Sequence, residues 1–134
     1  SEMCIRDRYT IVRMMRMIAE IVCPGVLLLG EVVMEPEKVV PYFGTVEKPE
    51  CHMFYNVTTM ATTWNSIATG DIRLLKKQMD IVNQLPKQYV FLNYLRCHDD
   101  IGWGLDYETM RPWGIKEIPH KRYLNDYFTG KSRI

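Results

Sequence analysis

Three short apolar runs constrain this chain more than anything else in it: "GVLLLGE" at 25–31, "CHMFYNV" at 51–57 and "QYVFLNYL" at 88–95. The first is too short and too uniformly apolar for an exposed helix, so it reads as a strand buried on both faces. Between the runs lie helical patterns. Ile11, Met14, Met15, Ile18 and Val22 recur at helical spacing, with Arg16 and Glu20 one turn apart on the polar side, until Pro24-Gly25 ends the helix. Pro36 suits the first turn of a short helix, "PEKVVPYFG", closed by Gly44. Thr58 or Thr59 can cap a helix through Trp64 and Ile67, and Gly70-Asp71 resets it into "DIRLLKKQMDIVNQLP". Alternation of this kind predicts an α/β fold: parallel, adjacent strands near 26–30, 52–56 and 89–95, with helices packed outside the sheet.

Composition sets limits on partners. With 134 residues, 47% hydrophobic and 25% charged, the chain has the make-up of a folded domain. A net charge of +1 supplies no field to collect nucleic acid or a membrane surface, and no apolar stretch approaches the about 18 residues of a membrane span. The four cysteines, Cys4, Cys23, Cys51 and Cys97, show no CxxC pairing. With no signal-peptide layout either, they read as reduced thiols of a non-secreted, cytoplasmic protein.

The first eight residues stand apart. "EMCIRDR" matches the translation of a transposon end used in preparing sequencing libraries, so residues 1–8 are expected to be a non-native scar or a disordered tail. On that reading the native chain continues upstream.

In parallel α/β folds the loops at the carboxyl ends of the strands form the functional face. Here the first run ends on Glu31, the second on Tyr55-Asn56, and the third on His98-Asp99-Asp100. Two carboxylates delivered from different strands to one face are what glycoside chemistry uses, typically about 5–5.5 Å apart in a retaining pair. Each residue also has a plainer reading. Glu31 can be a strand-end cap or ion-pair partner, and Asp99 and Asp100 suit turns and helix caps. His98 alone is more often structural, and Cys51, His52, Trp64 and the Met-rich first helix are expected in the core. Zinc held by Cys51, His52, Cys97 and His98 is set aside, because adjacent ligand pairs lack the spacing of structural sites.

Taken together, "GEVVMEPEKVVPYFG", "FYNVTTMATTWNSIATGDIRLL" and "NYLRCHDDIGWG" resemble, in order and spacing, amylosucrase-like members of the α-amylase family of glycoside hydrolases. "HDDIGW" is the most specific piece. The resemblance runs from about Tyr9 to the end. It implies part of a (β/α)8 barrel, from about the fourth helix to the seventh strand over 9–101, with 102–134 beginning the insertion after that strand. It implies retaining chemistry at α-glucosidic bonds of sucrose or an α-glucan, with a carbohydrate as partner and no cofactor or metal. Glu31 then matches the general acid/base, Asp99 the carboxylate that stabilises the transition state, and His98 the histidine that bonds glucosyl hydroxyls. Asp100 matches a residue that shapes the glucose pocket.

The family's nucleophile is an aspartate with an arginine two residues ahead of it, at the end of the fourth strand. Arg6-Asp7-Arg8 lacks that spacing and falls in the suspected scar. The chain is therefore expected to be an internal fragment, truncated at both ends and inactive by itself. Two other readings stay open: a non-catalytic barrel relative used for carbohydrate binding or assembly, and an unrelated α/β domain with structural strand-end acids.

Overall fold

Helix α1 runs over Glu2–Val22 in a computed structural model that describes residues 2–99 and 102–131. It begins seven residues before Tyr9 and so takes in the segment read as a scar. Its apolar stripe is not core: Met14, Met15, Met17 and Ile18 are 56–62% exposed. The helix is held by its polar side instead. Arg13 Nε donates to Glu50 Oε1 at 3.0 Å, and Arg16 Nη1 donates to the Glu50 carbonyl at 3.0 Å. Arg16 also donates to Glu20 at 2.7 Å, the one-turn pair expected from spacing. Helical periodicity located the stripe, but nothing among the described residues covers it.

The three apolar runs form a parallel sheet in the order β1-β2-β3, where β1 is Leu29–Gly30, β2 is Met53–Tyr55 and β3 is Val90–Leu92. Gly30 stands opposite Phe54, which stands opposite Phe91. The parallel α/β arrangement is the one the alternation predicts. Two details differ. The strands are shorter than the apolar runs, and β1 is not buried on both faces, since its own Leu29 is 36% exposed. β1 lies at the edge of the sheet, where a face without a packed neighbour stays wet.

β2 is the centre of one core. Phe54 is 1% exposed and packs with Val39 and Phe43, whose ring meets it edge-on at 4.8 Å. The glycine before Glu31 belongs to this packing. A Cβ at Gly30 would lie 2.2 Å from Phe54 Cε1, so only glycine lets the ring sit under the end of β1. Helix α2, Pro36–Val39, has its proline in the first turn and passes into a 3-10 turn over Val40–Phe43. Gly44 closes that turn at φ 74°, as expected for this residue type.

Helix α3, Val57–Thr69, is capped by Asn56 rather than by Thr58 or Thr59; the Asn56 side chain accepts from the Thr59 amide. Asparagine is among the strongest capping residues, and the helix starts two residues earlier than a cap at Thr58 suggests. Gly70 turns left-handed, and α4 follows over Arg73–Gln84. Beyond the sheet come α5, Tyr107–Met110, and α6, Glu117–Phe128. Leu105, Met110 and Leu124 from this segment form a second core with Ala61, Ala68 and Leu74 of α3 and α4. No helix among the described residues is long and apolar enough to cross a membrane.

Candidate active site

Glu31 follows β1 directly, and His98 and Asp99 lie six and seven residues beyond the end of β3. Two anchors fix the path between. The Asn56 amide donates to the Leu92 carbonyl at 2.9 Å, and the Asn56 side chain donates to Asn93 Oδ1 at 3.0 Å. Trp64 Nε1 then donates to the Leu95 carbonyl at 2.6 Å, two residues before Cys97. Trp64 is thus half-buried between the sheet's exit loop and Phe128, whose ring it meets at 5.4 Å.

The result is convergence. One donor atom each from Glu31, Cys97, His98 and Asp99 lies within 4.8 Å of all the others. The two carboxyl groups therefore meet at one point although β2 separates their strands. His98 Nε2 stands 3.5 Å from Asp99 Oδ1, and both side chains are open to solvent, 75% and 65% exposed. Asp100 lies outside the described residues.

The middle strand contributes a floor. Tyr55 meets Tyr94 edge-on, with centroids 4.9 Å apart. Burial pushes the Tyr94 hydroxyl above the ordinary tyrosine value, and the neighbouring Cys97 thiol and Glu31 carboxylate push it further, because a second anion there is unfavourable. Tyr94 and Cys97 are the site residues that reading the strand ends misses. Tyr94 continues the apolar run and looks like core, while Cys97, between Arg96 and His98, is weighed only as a partner of Cys51 and His52.

Cys51 and His52 stay away from this point. Cys51 packs against the Phe54 core, and His52 Nδ1 accepts from the Leu28 amide at 2.9 Å. Burial and the nearby Arg16 lower the His52 pKa. The pair lies at the entry of β2, so the four-residue zinc combination set aside on spacing is not assembled. A cleft of about 560 Å3 is also elsewhere. It lies between residues 33–37, α3, α4 and residues 102–106, and includes neither Glu31 nor Asp99. The strand-end cluster is an open convergence of side chains rather than a cavity.

Chemically, this point holds two carboxylates, an imidazole, a thiol and a phenol. Such a set can hold and release protons, accept hydrogen bonds from hydroxyl groups and stabilise positive charge.

The chain matches no protein-family model. It is 26% identical over 94 residues to a glucosylglycerate phosphorylase of Spirochaeta thermophila, a match covering 70% of this chain and 16% of that protein. It is 31% identical over 78 residues to a trehalose synthase of Thermus thermophilus, covering 58% of this chain and 8% of that protein. Both are distant, partial likenesses to carbohydrate-active enzymes. The chain spans less than a fifth of the length of either relative.

Proposed function

We propose that this chain is a piece of a retaining α-glucosidic enzyme of the α-amylase family, in its amylosucrase-like branch. The observation that carries the reading is the convergence of Glu31 and Asp99, delivered from the ends of two parallel strands, with His98 beside them. The partial likenesses to a glucosylglycerate phosphorylase and a trehalose synthase support a role at glucosyl groups. In this reading the three strands belong to a (β/α)8 barrel, and residues 102–134 open the insertion that follows.

Glu31 acts as general acid. It protonates the leaving glycosidic oxygen and then, as carboxylate, takes the proton from the incoming acceptor. Asp99 faces the sugar ring and stabilises the oxocarbenium-like charge that develops there. His98 donates a hydrogen bond to a ring hydroxyl, and Asp100 shapes the same pocket. The covalent step needs a nucleophile, which the proposed upstream part of the protein supplies. The donor is sucrose or an α-glucan.

Replacement of Asp99 in the whole protein tests this. Asp99→Asn should lower turnover both of a natural glucoside and of an α-glucosyl fluoride, by about a hundredfold or more, because charge at the ring develops with either leaving group. Near-normal turnover by that variant removes Asp99 from the mechanism, whereas no turnover by the unmodified whole protein favours a non-catalytic carbohydrate-binding relative.

A further inference from the structure

We propose that Glu31, Cys97, His98 and Asp99 form a binding site for a zinc-class divalent cation. Four potential ligands come from two chain segments, and their donor atoms already lie within 4.8 Å of one another. The donor set is selective. A thiolate and an imidazole suit borderline-soft ions such as Zn2+ or Co2+, whereas Mg2+ and Ca2+ prefer oxygen-only shells.

The geometry asks for little movement. Tetrahedral zinc bonds of about 2.0–2.3 Å put the ligand atoms about 3.3–3.6 Å apart. The widest separation therefore has to contract by at most about 1.2–1.5 Å, which rotations of exposed side chains achieve. His98 and Asp99 are free to make them, being 75% and 65% exposed. The backbone beneath is held, because Trp64 grips Leu95 and Asn56 grips Asn93. An ion bound there has a net charge of +2 against two carboxylates and one thiolate. Ligation requires Cys97 to lose its proton, so binding releases a proton and weakens as pH falls.

The site stands on this geometry alone. Its consequence rests on the function proposed above: the ion occupies the acid and the stabilising carboxylate, so metal and sugar exclude each other.

The test is a titration of the reduced, metal-free 134-residue chain with Zn2+ in competition with a chromophoric chelator, and with Co2+ followed by absorbance. One equivalent should bind, and the Co2+ complex should show a thiolate-to-cobalt charge-transfer band. Cys97→Ser should abolish the band and weaken Zn2+ binding at least tenfold. Asp99→Asn, at an exposed position, should weaken it by a similar factor with the circular dichroism spectrum unchanged. Cys23→Ser should change neither, and Mg2+ should not compete. No saturable binding, full binding by Cys97→Ser, or loss of the band in Cys23→Ser overturns the proposal. Neither result depends on turnover, so failure here is separate from failure of the enzymatic reading.

Discussion

Asn56 and Asp99 follow neighbouring parallel strands, yet the fold treats them in opposite ways. Asn56 is 4% exposed, and both ends of its amide are used, one to cap α3 and one on Asn93. Asp99 is left open to solvent beside His98, with Glu31 reaching the same point from β1. The same contrast runs through the molecule. Glu50 is 1% exposed and paired with Arg13, and Tyr107 shares a hydrogen bond with His120. Where a polar group serves stability, the chain closes over it and pairs at least one of its polar atoms, although Glu50 Oε2 and His120 Nε2 are buried without a partner of their own among the described residues. At the ends of β1 and β3 several ionisable groups converge without being enclosed, which is an arrangement for meeting something from outside. The difference predicts two kinds of mutant: open groups that change activity and leave stability alone, and closed ones that do the reverse.

Glu31→Gln should have the largest effect. In the whole protein, turnover of an ordinary glucoside should fall about 10²–10⁴-fold, the usual contribution of general acid catalysis. An α-glucosyl fluoride needs little protonation, so glucosyl-enzyme formation from it should suffer far less. Stability should stay within about 0.5 kcal/mol of the parent, as for other exposed substitutions. Equal loss on both donors, together with a lowered melting temperature, would move Glu31 into the closed class.

Glu50→Ala comes next and tests the closed class. Its carboxylate receives Arg13, and its carbonyl receives Arg16, so this one residue docks α1 on the sheet side. Removing one partner of a buried pair is strongly destabilising, but Arg13 is about a third exposed and can rehydrate. A loss of about 2 kcal/mol in chemical denaturation is expected. An unchanged midpoint would show that α1 is held by something other than this pair.

Asn56→Ala should be smaller, about 1–2 kcal/mol, because it removes a cap and leaves the Thr59 amide without its acceptor. It also cuts the tie to Asn93. If activity of the whole protein falls more than stability does, the tie positions the loop that carries Asp99.

How much of this was readable in the chain follows from the range of the forces involved. The parallel sheet and its order were legible because three apolar runs alternate with helical periods, and that pattern admits few topologies. Strand ends were less so. Leu27 and Tyr94 have strand-forming side chains but lie outside the ladder, since pairing depends on a neighbour that propensity cannot see. The α1 stripe was visible as a stripe, while its exposure depends on what packs there. Glu31, His98 and Asp99 were legible as strand-end cargo, and their meeting point follows from topology. Tyr94 was hidden inside an apolar run, and Cys97 was weighed only with Cys51 and His52, because nothing local shows that either turns toward Glu31. α5 and α6 were not foreseen at all: "PYFG"-like punctuation recurs there as "RPWG", but the apolar positions are too sparse to set a period.

The smallest effect belongs to the closed pair of Tyr107 and His120, and it is a pH dependence of stability. Tyr107 Oη lies 3.1 Å from His120 Nδ1, with Lys121 over the tyrosine ring at 5.5 Å and Glu117 nearby on α6. Burial lowers the His120 pKa below its ordinary 6.5, since the charged ring is poorly solvated there. The unfolded chain therefore takes up this proton first as pH falls. The stability tied to neutral His120 is complete above about pH 6.5 and is lost as pH drops from there toward the folded value. Burial, followed by the charge of Glu117, pushes Tyr107 from 10.0 up to about 12. Here the unfolded chain releases its proton first, so stability should decline as pH rises from about 10 to about 12. Melting temperature measured against pH should show both limbs. Tyr107→Phe should shrink the alkaline limb to the part that Tyr94 contributes and keep the acid one, and His120→Asn should shrink the acid limb to the part that His52 contributes. Curves that superimpose for all three proteins would mean that the pair is not closed when the chain folds, and that the contrast with Asp99 is one of position alone.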